Sequence, residues 1–413
     1  MSTKKNAAVG FIFITLLIDV IGFSIIIPVM PTLISSLKHV NASAASRYGS
    51  YLLSAYAVVQ FFCAPILGSL SDKYGRRPVL LFSLFGFGID YLFMAFSPSY
   101  GWLFVGRIIA GITGASFSTA GAYIADISTA ETRTKNFGMI GAAFGLGFFV
   151  GPAIGGLIGK LGDRAPFYVS AALALLNWVY GYFVLPESLK KENRREFSWK
   201  RANPVGALQH LIKYPALKGL MVAIAFLNLA SWAVQGNWSY YGVYRFHWDK
   251  PTIGISISIV GLLIGLVQAG LTRVVNPKLG NEKSIYTGLF FYAIGMFLFG
   301  IAPVTWLMFA FLVPYCLGGI AQPALQSIMA THVPPNAQGE LQGALTSIMS
   351  AMSIIGPLIM NNLFFYFTNE NRFHIILPGA PFFLGTIFFV CSAFIAYNTL
   401  KHDKHLVHDP ISK

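Results

Sequence analysis

Long apolar stretches separated by short polar segments recur along the whole chain. A helix needs about 20 apolar residues to cross the hydrocarbon of a bilayer, so the pattern predicts twelve transmembrane helices, here numbered as spans in chain order. The first stretch is too long for the apolar part of a signal peptide, and we expect it to be retained. The predicted spans lie near residues 8–30, 48–70, 79–97, 101–125, 136–160, 165–186, 219–243, 253–274, 285–302, 304–330, 341–367 and 374–400.

The longest charged segment divides these spans into two sets of six. It contains ESLKKENRREFSWKRANP, and its basic, partly amphipathic character predicts that it lies on the anionic cytoplasmic leaflet. The predicted organisation is an N-terminal half at 1–186, a linker at 187–218, a C-terminal half at 219–400 and a polar tail at 401–413.

The two halves also repeat each other at a constant offset of 205 residues. Two parallel six-helix repeats are the architecture of major facilitator transporters. The predicted fold is therefore an all-α polytopic membrane protein with two pseudo-symmetric halves. The pairs that carry the repeat are Gly75 with Gly280, Gly114 with Gly319, Gly138 with Gly343, and Gly151-Pro152 with Gly356-Pro357.

Composition and charge agree with a membrane protein. Hydrophobic residues make up 55% of the chain and charged residues only 11%, against about a quarter charged in soluble proteins. The net charge of +14 comes from short loops, and 21 of the 29 Lys and Arg lie on the side that holds both termini. This bias predicts cytoplasmic termini and argues against nucleic-acid binding. The three cysteines lie in apolar stretches and predict no disulfide framework.

Between spans 2 and 3 the chain reads GSLSDKYGRRPVLL, beginning at Gly68. Gly68 and Gly75 permit a tight turn and close helix approach, while Asp72 and Arg76 place mixed charge at the membrane surface. The segment resembles the G-x-L-x-D-x-x-G-R-R/K signature of the major facilitator superfamily. The resemblance implies that Asp72 and Arg76 lock the two halves in one state, with Asp126 at the end of span 4 as a partner. The alternative is a basic loop that only sets topology.

Span 5 contains GFFVGPAIGG, beginning at Gly147. Gly147, Gly151 and Gly155 share one helix face, which lets another helix approach closely, and Pro152 permits a bend. Together with Gly156 they resemble the G-x-x-x-G-P-x-x-G-G signature of proton antiporters in that superfamily, as opposed to symporters. The alternative is ordinary helix packing.

Four ionisable side chains fall inside the predicted spans: Asp19, Asp90, Arg107 and Asp126. A charge at the bilayer centre costs roughly 2.5–3.5 kcal/mol even on a lenient insertion scale, so such residues are functional candidates. Asp19 and Asp90 lie near the predicted midplane, whereas Asp126 lies where water can reach. A carboxylic acid in a low-dielectric site holds a proton more readily than one in water. We therefore predict a role in proton coupling for Asp19, Asp90 and Arg107.

Structural alternatives exist for each of these three residues. Asp19 is the stronger proton carrier because Pro28 and Pro31 break the helix beyond it; its alternative is a structural pairing with Arg107. Asp90 has a structural role as its alternative. Arg107 would orient either a carboxylate or a substrate anion, or serve packing alone.

The second half has no clearly buried charge. At the positions offset from Asp19, Asp90 and Arg107 it carries two aliphatic residues and a glycine. Its spans offer polar and aromatic side chains instead, which can bond to and stack on a flat amphipathic ligand or serve as helix contacts. The predicted substrate contacts are Asn228, Trp232, Gln235, Gln268, Tyr292, Gln322 and Gln326.

Several stretches in both halves resemble the tetracycline/proton antiporters of Gram-negative bacteria. They are LLIDVIGFSIIIPVMP, GIDYLFMAFSP, GRIIAGITGASFSTAGAYIADI, RFHWDKPTIGIS, QPALQSIMA and GELQGALTSIMSAMSIIGPL. The resemblance implies that Asp19 and Asp90 are acids important for transport, that Arg107 is the span-4 arginine, and that Asp126 is the acid at the end of that span. It also implies a bacterial cytoplasmic (inner) membrane protein.

Two positions depart from that family. Ile264 and Tyr292 stand where it has a histidine in span 8 and an aspartate in span 9. A magnesium–tetracycline cation would miss a carboxylate here. The resemblance therefore implies a proton-coupled exporter without specifying tetracycline as its substrate.

The predicted function is alternating-access antiport that exports a small hydrophobic or amphipathic molecule. The proton gradient would supply the energy, because no Walker A segment is present; we expect no cofactor, no metal site and no enzymatic activity. The expected partners are the substrate, protons and the lipid bilayer, with the monomer as the working unit. The alternatives are a symporter that imports a sugar or amino acid, and a scaffold that transports nothing.

Overall fold

The structure is a computed structural model, and it describes residues 2–114, 116–128, 132–197, 199, 215–333, 338–369 and 376–408. Every regular element in these ranges is helical. Twelve helices are long and apolar enough to cross a membrane, which confirms the predicted number. They are Val9–Lys38, Ala42–Tyr74, Arg76–Phe96, Tyr100–Ile127, Asn136–Leu161, Ala165–Val184, Leu217–Gln235, Lys250–Leu279, Asn281–Ile301, Thr305–Thr331, Leu341–Thr368 and Ala380–Lys401.

Several spans are interrupted or extended relative to the sequence prediction. Span 1 continues to Lys38 through a short 3-10 turn, Ile27–Val29, because Pro28 and Pro31 remove backbone donors. After span 7 a separate helix, Trp238–Phe246, follows a turn. The last helix remains regular to His408. Residues 200–214 of the predicted linker and 409–413 of the predicted tail lie outside the described residues.

The chain forms two compact units. The first unit comprises Met1–Asn203 and Gly242–Leu262, and the second comprises Pro204–Tyr241 and Leu263–Lys413. The first part of span 8 is thus counted with the first unit. The predicted division of the chain into two six-helix halves joined by a linker at 187–218 stays a prediction.

Two pairs of glycines in the sequence repeat occupy equivalent places in the fold. Gly75 and Gly280 both have a positive φ, 111° and 77°, and each stands between two consecutive spans. Gly114 lies in the break of span 4, and Gly319 lies in the 3-10 turn that breaks span 10. A positive φ is strained for any residue with a Cβ atom, so Gly75 and Gly280 meet a backbone requirement.

Span 8 begins with a side-chain cap and contains a local irregularity. Oδ1 of Asp249 accepts hydrogen bonds from the backbone N–H of Thr252 at 2.9 Å and from its hydroxyl at 2.6 Å. These bonds satisfy free donors of the first turn and hold the pKa of Asp249 below its usual value. Further along, Val267–Leu271 forms a π-helical turn.

Candidate functional site

Asp19 lies in the middle of span 1, and only 8% of its surface is exposed. Neither of its carboxylate oxygens has a hydrogen-bond partner among the described residues. The hydroxyl of Ser116 on span 4 lies near this carboxylate, but the two groups do not form a hydrogen bond. A buried charge without a partner is strongly unfavourable, so this position disfavours the ionised form of Asp19.

Asp90 on span 3 and Arg107 on span 4 form an ion pair inside the first unit. Asp90 is 0% exposed and Arg107 is 5% exposed. The same nitrogen of Arg107 lies 2.9 Å from Sδ of Met94, and Gly106 leaves the space that the Asp90 carboxylate fills. Arg107 is therefore paired with Asp90, and the alternative of a structural pairing with Asp19 does not hold in this structure.

Span 2 adds two polar side chains to this pair. The ring centre of Tyr56 lies 5.9 Å from the guanidinium carbon of Arg107, within the range of cation–π attraction. Nε2 of Gln60 donates to the Tyr56 hydroxyl at 2.7 Å and to the backbone oxygen of Gly114 at 2.9 Å. These bonds tie span 2 to the break in span 4.

Tyr91 reaches from span 3 to span 1. A Cβ atom on Gly22 would lie 3.6 Å from the ring and 3.7 Å from the hydroxyl of Tyr91, and the side chain is buried. Gly22 follows Asp19 by three residues, on the same face of the helix. Tyr91, the neighbour of Asp90 in the sequence, therefore contacts span 1 about one turn from Asp19.

The segment between spans 2 and 3 carries a network of charges. Nη1 of Arg76 lies 2.6 Å from Oδ1 of Asp72, and its Nε lies 3.2 Å from Oδ2 of Asp126. The hydroxyl of Ser188 also donates to Asp126, at 3.0 Å. Asp126 is thus the neighbour of Arg76 that the sequence predicted. All four residues belong to the first unit, and a locking role stays a prediction.

Glu187 completes this network at the start of span 3. Its carboxylate accepts hydrogen bonds from the backbone N–H of Arg76 at 2.9 Å and of Arg77 at 3.2 Å. An acid at a helix N-terminus satisfies free donors and interacts favourably with the helix dipole. A Cβ atom on Gly75 would overlap the Glu187 carboxylate. By contrast, no described atom lies within 4 Å of a Cβ on Gly68, so the close approach expected there is absent.

The glycine stripe of span 5 packs against residues 20–25 of span 1. A Cβ atom on Gly147 would lie 2.6 Å from the side chain of Val20. Cβ atoms on Gly151 and Gly155 would overlap span 1 outright, at a side chain and a backbone carbonyl respectively. The stripe therefore positions the helix segment that directly follows Asp19.

Pro152 and Gly156 lie on a second face of span 5, against the start of span 8. A Cβ atom on Gly156 would lie 2.9 Å from Cα of Pro251, and one on Gly254 would overlap the carbonyl of Pro152. The sequence signature thus serves two helix contacts within the first unit, of which the spacing of the glycines predicted one.

A polar cluster lies at the end of span 5 that is remote from Asp126. Nζ of Lys250 lies 2.7 Å from Oδ1 of Asp163 and donates to the backbone oxygen of Gly159 at 2.9 Å. The hydroxyl of Thr32 also donates to Asp163, at 2.6 Å. These bonds join the extension of span 1 and the start of span 8 to the loop after span 5.

In the second unit, three of the predicted substrate contacts lie on or next to span 7. Nδ2 of Asn228 donates to the backbone oxygen of Ile224 in its own helix at 2.8 Å. Trp232 is half-buried and fills the space left by Gly356 of span 11. Gln235 is exposed at the end of the helix.

The other predicted contacts lie on spans 8, 9 and 10. Tyr292 is 7% exposed and stacks on Phe389 with ring centres 4.8 Å apart. A Cβ atom on Gly319 would lie 3.9 Å from both the Tyr292 hydroxyl and Cγ of Gln268. Tyr292 is therefore part of an aromatic core, and both Tyr292 and Gln268 border Gly319. Gln322 and Gln326 are half-buried, one turn apart on span 10.

The second unit has apolar packing where the first has charge. At the offset equivalents, Ile224 is 1% and Leu312 is 0% exposed, and Gly295 lies against the backbone of Tyr315. No group of three or more His, Cys, Asp or Glu within the described ranges can hold a metal ion. Among the described residues, the buried Asp and Arg side chains all lie in the first unit.

Comparison with known proteins decides the family. Residues 12–357 match the Major Facilitator Superfamily. The chain belongs to this superfamily. A bacterial homologue of the human lysosomal transporter Spinster, solved in an inward-facing and unoccupied conformation, has a TM-score of 0.79 at 13% identity, over 97% of this chain and 98% of that chain. At that identity the likeness concerns the fold alone.

Two bacterial relatives of this major facilitator protein are much more similar in sequence. The class C tetracycline resistance protein of Escherichia coli is 40% identical over 361 residues, which cover 87% of this chain and 90% of the relative. The class E tetracycline resistance protein of Escherichia coli is 37% identical over 364 residues, which cover 87% and 88%. The family resemblance drawn from the sequence is thereby confirmed.

The glycine stripe of this major facilitator protein gives a testable result. Replacing Gly155 with alanine would drive a methyl group into the Ile25 carbonyl, and overpacking of this kind costs about 1–3 kcal/mol. We expect a lower thermal unfolding midpoint in detergent. Gly145 on the same helix has no described atom within 4 Å of its Cβ position, so Gly145→Ala should keep the parent midpoint. Equal midpoints for both variants would contradict the packing described for span 5.

Proposed function

We propose that this protein is a proton-coupled antiporter that exports a small hydrophobic or amphipathic molecule by alternating access. The observation that carries the proposal is the Asp19 carboxyl group, buried and without a hydrogen-bond partner among the described side chains and backbone groups. Support also comes from the tetracycline resistance proteins, whose similarity covers most of the chain.

Asp19 acts as the proton carrier in this proposal. A neutral carboxylic acid is far less costly to bury than a carboxylate, so Asp19 retains its proton while its surroundings are dry. When water or a cationic substrate reaches it, the ionised form becomes favourable and the proton leaves. Asp90 is less suited to this exchange, because Arg107 already compensates its charge; the pair would orient the site around Asp19.

The other predicted roles form part of the same proposal. Asp72, Arg76 and Asp126 would hold one transport state and release it in the other, with Gly75 allowing Glu187 to approach. The second unit would contact the substrate through Trp232 and the polar residues of spans 7 to 10. The protein would work as a monomer in the bacterial inner membrane, with both termini in the cytoplasm as the charge bias indicates.

The experiment uses acid-loaded inside-out membrane vesicles and a pH-sensitive fluorescent dye. The panel contains tetracycline, other amphipathic drugs, sugars and amino acids. We expect at least one amphipathic compound to release protons from the vesicles, and vesicles without the protein to give no response. A response restricted to sugars or amino acids would instead identify an importer and overturn the proposal.

A further inference from the structure

Buried hydroxyl groups in the first unit depart from the usual behaviour of Ser and Thr in helices. Such side chains commonly bond to a backbone oxygen three or four residues earlier, as Ser24 does with Val20 at 2.7 Å. Six buried hydroxyls have no partner among the described residues, and all six belong to the first unit. Three of them, on Thr15, Ser116 and Thr119, lie in the two spans that meet at Asp19.

Helix geometry places these three hydroxyls on one interface. Thr15 and Asp19 are four residues apart on span 1, and Ser116 and Thr119 are three apart on span 4, so each pair shares a helix face. Spans 1 and 4 run in opposite directions through the unit. Ser116 lies near Asp19. Because the helices are antiparallel, one turn forward along span 4 and one turn back along span 1 bring Thr119 level with Thr15.

The apolar neighbours of these residues agree with this register. Leu16 and Ala120, which directly follow Thr15 and Thr119, pack in one buried cluster. Ile12 and Ile124, a further turn along their helices, belong to the same cluster. This cluster closes the interface towards the end of the unit that carries Asp126.

A fourth polar group borders the same space from span 6. Nδ2 of Asn177 donates to the backbone oxygen of Thr15 at 3.1 Å, while its Oδ1 has no described partner. The side chains of Thr15, Ser116, Thr119 and Asn177 are each at most 1% exposed. Leaving a buried polar atom without a partner costs about 1–3 kcal/mol, and native proteins satisfy such groups with bound water.

We propose that the first unit contains a bound water cluster held by Thr15, Ser116, Thr119 and Asn177, and that this cluster receives the proton of Asp19. In the transfer, the O–H bond of the carboxylic acid breaks, an O–H bond forms on a water molecule, and a carboxylate and a hydronium ion remain. The path of the proton runs inside the first unit, between spans 1 and 4. The apolar cluster around Leu16 separates this path from the end of the unit that carries Asp126. The inference rests on the proposed function for the role of Asp19 as the proton carrier, whereas the presence of the water cluster does not depend on it.

Infrared spectroscopy of the purified protein tests the water cluster without any transport assay. The C=O stretch of the protonated Asp19 side chain is identified at acidic pH as the band missing in Asp19→Asn. Its shift on transfer into D2O then measures how fast water reaches the carboxyl group. We expect rapid exchange in the parent and exchange at least tenfold slower in the double variant Thr15→Val/Thr119→Val.

A matched control is available in the same helix bundle. Thr113 is buried on span 4, but its hydroxyl donates to the backbone oxygen of Ile109 at 2.9 Å. Thr113→Val should therefore leave the exchange rate of the Asp19 band unchanged. Parent-like exchange in the double variant would overturn the proposal, whether or not the vesicles transport any compound.

Thermal unfolding provides an independent readout. If the hydroxyls bind water, replacing Thr119 with isosteric valine removes a partner of that water and lowers the unfolding midpoint. If the site is dry, the same change removes an unsatisfied polar group and raises the midpoint. A raised midpoint for Thr119→Val would therefore refute the water cluster, even where the infrared bands shift as expected.

Discussion

Asp19→Asn is expected to abolish substrate-driven proton release in the vesicle assay, down to the level of vesicles that lack the protein. Asparagine has nearly the same size as aspartate but cannot bind and release a proton in this range of pH. The amide cannot ionise in this buried site, so the variant should fold at least as well as the parent. A lost response at unchanged thermal stability is the expected pair of results.

The control for this prediction is an aspartate outside the membrane. Asp249 is exposed and caps span 8 through Thr252, and asparagine is an equally good capping residue. Asp249→Asn should therefore retain proton release. If Asp19→Asn vesicles responded as the parent does, the proton-carrier role of Asp19 would be wrong, whereas the fold and the family would stand.

The sequence was sufficient to predict the helices and the repeat. Apolar length alone gives the number of spans, because a membrane helix must satisfy its own backbone groups over a fixed thickness. The offset of 205 residues predicted two repeated halves, and Gly75 and Gly280 have a positive φ at matching positions between consecutive spans. The interruption of span 1 near Pro28 and Pro31 was equally predictable, since proline lacks a backbone donor.

The sequence alone could not predict which of the intramembrane acids pairs with Arg107. Asp19 and Asp90 lie at similar predicted depth, and Arg107 is compatible with either of them by depth alone. The choice depends on which faces of spans 1, 3 and 4 meet. The small size of Gly106 admits the Asp90 carboxylate beside Arg107, and nothing in linear spacing reveals that.

Supporting residues were missed for a similar reason. Tyr56 and Gln60 resemble ordinary helix residues until span 2 is placed against Arg107. The sequence places Glu187 in the charged linker, whereas in the structure its carboxylate caps span 3. A tyrosine next to Asp90 and a tyrosine–glutamine pair one turn apart were the available signals in the sequence.

These observations assign different tasks to the two buried acids of the first unit. Asp90 has a counter-ion in this structure, whereas Asp19 has none among the described groups. A paired carboxylate changes its charge reluctantly, because losing its charge would leave Arg107 uncompensated in the interior. The unpaired acid is therefore the one that can exchange a proton during each transport cycle, and the ion pair keeps spans 3 and 4 in register beside it.

If the Asp90–Arg107 pair is structural, removing one partner should destabilise the protein more than removing both charges. Arg107→Met leaves Asp90 buried without compensation, and loss of one partner of a buried pair costs about 3–5 kcal/mol. We expect a large fall in the thermal unfolding midpoint in detergent. The double variant Asp90→Asn/Arg107→Met contains no buried charge at this position and should recover most of that loss. A double variant as unstable as Arg107→Met would show that the arginine stabilises the unit by packing alone.

The same double variant separates a structural role of the pair from a role in proton exchange. If the pair only orients the surroundings of Asp19, the double variant should retain proton release at a reduced rate, because Asp19 is still present. If Asp90 itself carries the proton, release should vanish as completely as in Asp19→Asn, at a stability close to that of the parent. We expect the first result, since Asp90 faces Arg107 in this structure whereas Asp19 has no partner among the described groups.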